Sequence, residues 1–141
     1  WGSRYGQWPA SYVGLNALCT YRSGRGDSRL LDWAAAVGRS YLTEPMPEGV
    51  AFPAMDAGLA VELLADLYDI TGDTAWRDGA LTLAARVAAV YLDADLPRGA
   101  AGIDWYESQM GPAFVLHGLA RAALLAADRE HCPLAPDYTA R

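Results

Sequence analysis

The residues best equipped for chemistry sit late in the chain, in Gly102-Ile103-Asp104-Trp105-Tyr106-Glu107-Ser108-Gln109-Met110-Gly111-Pro112. Two aromatics, two acids and an amide fall between Asp104 and Gln109. Carboxyls and phenols move protons when their surroundings tune their pKa. Indole and phenol rings stack on the C–H faces of sugars, whose hydroxyls bond to acids and amides. Gly111-Pro112 then enters a helix, since proline at the first helical position has a preset φ and no N–H to orphan. A loop carrying polar and aromatic groups, held by a rigid helix, is a common way to build a ligand site. The competing reading is that Trp105 and Tyr106 only staple a helix hairpin shut.

Other aromatics and acids fall at the same relative positions, just before or just inside helices. Trp8 and Phe52 each precede a helical pattern. Asp56 lies in the first turn of one, on its apolar arc, and has two readings: a carboxylate favoured by the helix N-terminus, or an acid at the mouth of a cavity. His117, in mid-helix, reads as a satisfied polar residue or as a ligand contact. No zinc-binding HExxH, phosphate-cradling glycine loop, CxxC pair or GxSxG turn occurs. Ser108 has no nucleophile-elbow context, and His131 beside Cys132 lacks further ligands. Neither a metal nor a cofactor is expected.

Five helical patterns must position these groups: Ala10 to Ser23, Arg29 to Leu42, Ala54 to Ile70, Thr74 to Leu92 and Pro112 to Ala127. In the second, Leu30, Trp33, Ala34, Val37 and Tyr41 are expected to share the inner side. In the third, Leu59, Leu63, Leu67 and Ile70 form the inner stripe, and Glu62, Asp66 and Asp69 read as a solvated acidic face. The fifth is apolar over a wide arc, so it should be covered on more than one face; His117, Arg121 and Asp128 form its narrow polar side. Gly26-Asp27-Ser28, with Asp32 and Ala34, recurs as Gly72-Asp73-Thr74, with Asp78 and Ala80, at an offset of 46 residues. A period of that size signals stacked helical hairpins. The expected fold is therefore all-α: hairpin repeats over 1–128 forming part of an α/α toroid, with an irregular tail over 129–141.

Composition narrows the function. The 141 residues carry a net charge of −6 with scattered basic residues, which argues against nucleic acid, whose phosphates demand a basic face. No stretch approaches the roughly 20 apolar residues of a membrane span. Cys19 and Cys132 are far apart and read as a buried small hydrophobe and an exposed tail thiol, leaving the compartment open.

Three blocks resemble the C-terminal helical domain of D-glucuronyl C5-epimerases. They are Pro9-Ala10-Ser11-Tyr12-Val13-Gly14-Leu15-Asn16-Ala17-Leu18, Phe52-Pro53-Ala54-Met55-Asp56-Ala57-Gly58-Leu59-Ala60-Val61, and Trp105-Tyr106-Glu107 with Phe114-Val115-Leu116-His117-Gly118. The third block is the most specific. The resemblance implies an α/α toroid that binds a uronic-acid polysaccharide, removes the C5 proton beside the carboxylate and returns it to the opposite face. By the same resemblance Glu107 is the acid or base, Tyr106 a proton donor or orienter, and Trp105 a stacking platform. Asp104, Asp56, Gln109, His117 and Trp8 would contact substrate. Ser108-Gln109 stands where the family has Glu-Tyr, His117 where it has Asn, and Asp56 where it has an amide. The family's later catalytic tyrosines would fall past Arg141, so the chain is expected to be a fragment or a reduced relative. Separately, the expected protein partners are further copies in a homo-oligomer or the remaining part of a larger chain. A six-hairpin glycosidase or lyase, and a non-catalytic glycan-binding or assembly module, are the alternatives.

Overall fold

The computed structural model describes Gly6, residues 8–103 and residues 111–127. The described residues form five α-helices: α1 (Ser11–Thr20), α2 (Ser28–Thr43), α3 (Ala54–Thr71), α4 (Thr74–Tyr91) and α5 (Pro112–Ala126). A short 3-10 turn, Trp8–Ala10, leads into α1, and a π turn, Tyr21–Arg25, follows it. No extended strand occurs among them; Pro53, Ala100 and Ile103 make only isolated bridges. The all-α expectation is met, and the helix bounds fall within a few residues of those read from the sequence.

The repeated Gly-Asp pair is a repeated turn. Gly26 and Gly72 both take the left-handed conformation, with φ of 53° and 69°, which costs glycine little. The next residue in each copy caps the following helix: Asp27 accepts from the Arg29 N–H and Asp73 from the Ala75 N–H, both at 3.0 Å. Ala34 and Ala80 are both fully buried. Two helical hairpins, α1–α2 and α3–α4, follow from these turns.

α3 is the central helix and packs against each of the other four. Every residue from Asp56 to Leu67 is buried, so α3 is apolar on several sides at once, as a helix enclosed by neighbours must be. Its crossing with α5 brings backbone onto backbone. A Cβ on Gly58 would overlap the Phe114 main chain, and one on Gly118 would stand 2.8 Å from the Gly58 carbonyl oxygen.

Two expectations about helix faces are corrected. The stripe Glu62–Asp66–Asp69 is solvated only at Asp69; Glu62 and Asp66 are both 0% exposed. α5 and the turn after α1 cover these two and supply the opposite charges. On the nominal polar side of α5, Arg121 is accordingly only 1% exposed and His117 meets Glu62; Asp128 lies outside the described residues. Trp33 of α2 does not share the inner side; it is 52% exposed, because it lies about 100° around the helix from Ala34, which does face the core. Cys19, expected buried, is half-buried.

Candidate functional site

The up-and-down order of the helices gathers the start of α1, the end of α2, the start of α3, the end of α4 and the start of α5 at one end of the bundle. Of the sequence-predicted site residues, Trp8 and Asp56 belong to this end. Trp8 is 2% exposed, with its ring 4.8 Å from that of Tyr41 and 5.6 Å from that of Phe52. The Tyr41 hydroxyl donates to the Trp8 carbonyl at 2.8 Å, and the Trp8 indole N–H donates to the Pro45 carbonyl at 3.2 Å. Trp8 thus closes the core here, and its indole lies among protein side chains.

The two loops at this end are tied together. The Phe52 carbonyl accepts from the Ala101 N–H and the buried Tyr91 hydroxyl, both at 2.9 Å, and the Ala54 N–H donates to the Gly99 carbonyl at 2.9 Å. This fixes residues 99–103, and with them the chain leading to Asp104, beside the N-terminus of α3. Asp104, Trp105, Tyr106, Glu107 and Gln109 themselves lie outside the described residues.

Asp56 stands in the first turn of α3 and is 8% exposed. Burial alone pushes its carboxyl up from 3.8 to about 6. It also disfavours ionisation of the nearby Tyr41 hydroxyl, whose pKa is raised chiefly by its own burial. A carboxyl titrating near 6 gives and takes protons at neutral pH far more readily than an ordinary aspartate.

Two clefts of about 600 Å³ and 610 Å³ open nearby, each within the range of small-ligand sites. One runs between the end of α2 and α4, past Leu42, Met46, Gly79 and Leu83; the other lies between residues 46–51 and Ala101–Ile103. Met46 and Arg86 line both, and Arg86 pairs with Glu48 between them. Trp8 borders the first cleft; Asp56 borders neither.

His117 lies away from this end, and the sequence reading missed what it touches. Its Nδ1 pairs with the Glu62 carboxylate, while its own side chain is 34% exposed. Arg121, one turn further along α5, contacts Asp66 at 2.9 Å and Asp69 at 2.5 Å, with Glu62 at 3.9 Å. Arg22, from the π turn, reaches Asp66 at 3.0 Å. Burial raises the pKa of the Glu62 and Asp66 carboxyls, and the contacts with Arg121, with His117 at Glu62 and with Arg22 at Asp66, offset only part of the rise. The signal was present in the sequence: acids at i, i+4 on α3 complement His117 and Arg121 at i, i+4 on α5. Reading each helix alone could not pair them.

Among the described residues no group of three or more His, Cys, Asp or Glu side chains could hold a metal ion, and no helix is long and apolar enough to cross a membrane. Comparison with protein-family models, curated proteins and solved structures gives no match.

Proposed function

We propose that this protein is carbohydrate-active and acts on uronyl units of a polysaccharide, moving the C5 proton with side chains at the loop end of an α/α-toroid hairpin array. The observation that carries this reading is Asp56, a buried acid with a pKa of about 6 at the end of the bundle from which the Asp104–Gln109 stretch departs. Glu107 is the principal acid or base in this reading, with Tyr106 as donor or orienter and Trp105 as stacking platform. Asp56 and Gln109 bond to sugar hydroxyls. The sequence resemblance described above supplies the reaction class.

Incubating the protein with uronate polysaccharides in D2O tests it. Deuterium should enter at C5 without shortening the chain, and Glu107→Gln should abolish the exchange. Intact exchange in that variant refutes the role of Glu107; absence of exchange in the unaltered protein refutes the reaction. Chain cleavage would instead point to a six-hairpin glycosidase or lyase.

A second reading, a non-catalytic glycan-binding or assembly module, is favoured by the outer face of α5. Ala113, Leu116, Ala120 and Ala123 are exposed there without a charge among them. Saturable binding of uronate oligosaccharides without turnover, or self-association in sedimentation, would support it.

A further inference from the structure

The Arg86–Glu48 pair stands between the two clefts, and the C5 reading gives it no task. The clefts differ in charge. Glu44 and Asp78 line the first beside Arg86. In the second, Arg86 and Glu48 are the only charged lining residues among those described, and Met46, Val50, Val90 and Ile103 supply an apolar wall. Arg86 is therefore the sole cation lining either cleft among the described residues. Two acids oppose an anion in the first cleft, whereas only Glu48 does so in the second.

The loop between α2 and α3 explains how Glu48 comes to lie there. Met46 and Phe52 anchor it, at 3% and 0% exposure. Between these anchors Gly49 turns the chain with a φ of 68°, and the Phe52 N–H closes back on the Val50 carbonyl at 2.8 Å. Glu48 is left beside this turn with its side chain 78% exposed, paired with Arg86 of α4. An ion pair so exposed contributes at most about 1 kcal/mol. A carboxylate inside the cleft is less hydrated than Glu48 and bonds more strongly to the same guanidinium. The planar fork of arginine can take both of its oxygens at once.

We propose that the second cleft is a carboxylate site, in which Arg86 binds the anion and Glu48 holds the guanidinium until a ligand displaces it. The ligand class is a carboxylate on a compact body with one apolar face, which lies against Val50, Val90 and Ile103. A uronyl residue has that chemistry, and so has an aryl carboxylate; a cleft of about 610 Å³ admits either. Neither Arg86 nor Glu48 enters the C5 proton transfer, so the site stands or falls apart from it.

Titrating the full chain with methyl glucuronoside, benzoate and uncharged methyl glucoside, read by backbone amide shifts in NMR, tests the site. Saturable shifts at Val50, Ala101 and Gly102 are expected with one or both carboxylates and not with methyl glucoside. Glucuronoside alone identifies a sugar acid, benzoate alone an aryl acid, and both together a site that reads the carboxylate itself. Glu48→Gln should bind the active probe about two- to fivefold more tightly, because the internal competitor loses its charge. An ion pair kept only for structure would give no such gain. Arg86→Gln should bind the probe at least about tenfold more weakly. Both side chains are exposed, so both variants should keep the spectrum of the unaltered protein. Absence of saturable shifts with both carboxylates, equal shifts with methyl glucoside, or unchanged affinity in either variant overturns the proposal.

Discussion

Replacing Asp56 by Asn should stabilise the protein at neutral pH. The carboxyl titrates near 6 in the folded chain against an ordinary 3.8, a rise of about two units, and each unit is worth 1.36 kcal/mol. The direction follows from linkage. A raised carboxyl pKa means that the folded state binds more protons, so the group costs nothing below 3.8 and imposes its full penalty above about 6. That penalty is about 3 kcal/mol by burial alone. The N-terminus of α3 opposes it, because unpaired N–H groups favour an anion by 0.3–1 kcal/mol, or up to about 2 in buried geometry. Burial wins, leaving roughly 1–3 kcal/mol. Asp56→Asn deletes the charge and keeps the shape. Urea unfolding at pH 7.5 should therefore show the variant more stable by that amount, with the gain about halved at pH 5 and absent below the unfolded pKa. Comparing the two proteins at each pH cancels every other titrating group. A variant equal or less stable at pH 7.5, or a gain independent of pH, refutes the reasoning.

Two more perturbations probe the α3–α5 contact. Arg121→Met strips Glu62 and Asp66 of their shared buried cation, and should cost 3–5 kcal/mol in urea unfolding; a loss below about 1 kcal/mol would show those carboxyls to be neutral or hydrated. Gly58→Ala drives a methyl into the Phe114 backbone, and should cost about 1–3 kcal/mol through separation of the helices, read as a lower melting temperature; an unchanged melting temperature would show that α5 can slide.

The fold was legible because its signals are local. Gly26-Asp27 and Gly72-Asp73 each specify a left-handed stop and a capped start within two residues, so hairpin boundaries needed no knowledge of neighbours. Faces were less legible, because burial belongs to pairs of helices. Trp33 lies near the edge of its apolar arc and turned outward, while Glu62 and Asp66 looked like a wet face until Arg121 and His117 were set opposite them. Asp56 was readable as a helix-start carboxylate, yet its cost comes from the closure of that end of the bundle over it. No sequence spacing records such closure.

One helix, α3, therefore carries three buried acids under two different regimes. Glu62 and Asp66 have Arg121 or Arg22 within 4 Å, and Glu62 bonds to His117 as well, so part of their desolvation is repaid and removing a partner is what should hurt. Among the described residues Asp56 has only the partial charge of a helix end to set against its burial, so removing the acid itself should help. The contrast separates a structural charge from a functional one by experiment. A compensated network loses stability when any member is cut, whereas an uncompensated acid lowers stability for as long as it is kept. Sites that do chemistry tolerate that second condition, because a carboxyl held near 6 must be disfavoured as an anion in order to hold its proton. If the Asp56→Asn protein is the more stable and Arg121→Met the less stable, the loop end is where the sequence has put reactivity ahead of stability, and substrate should be sought there.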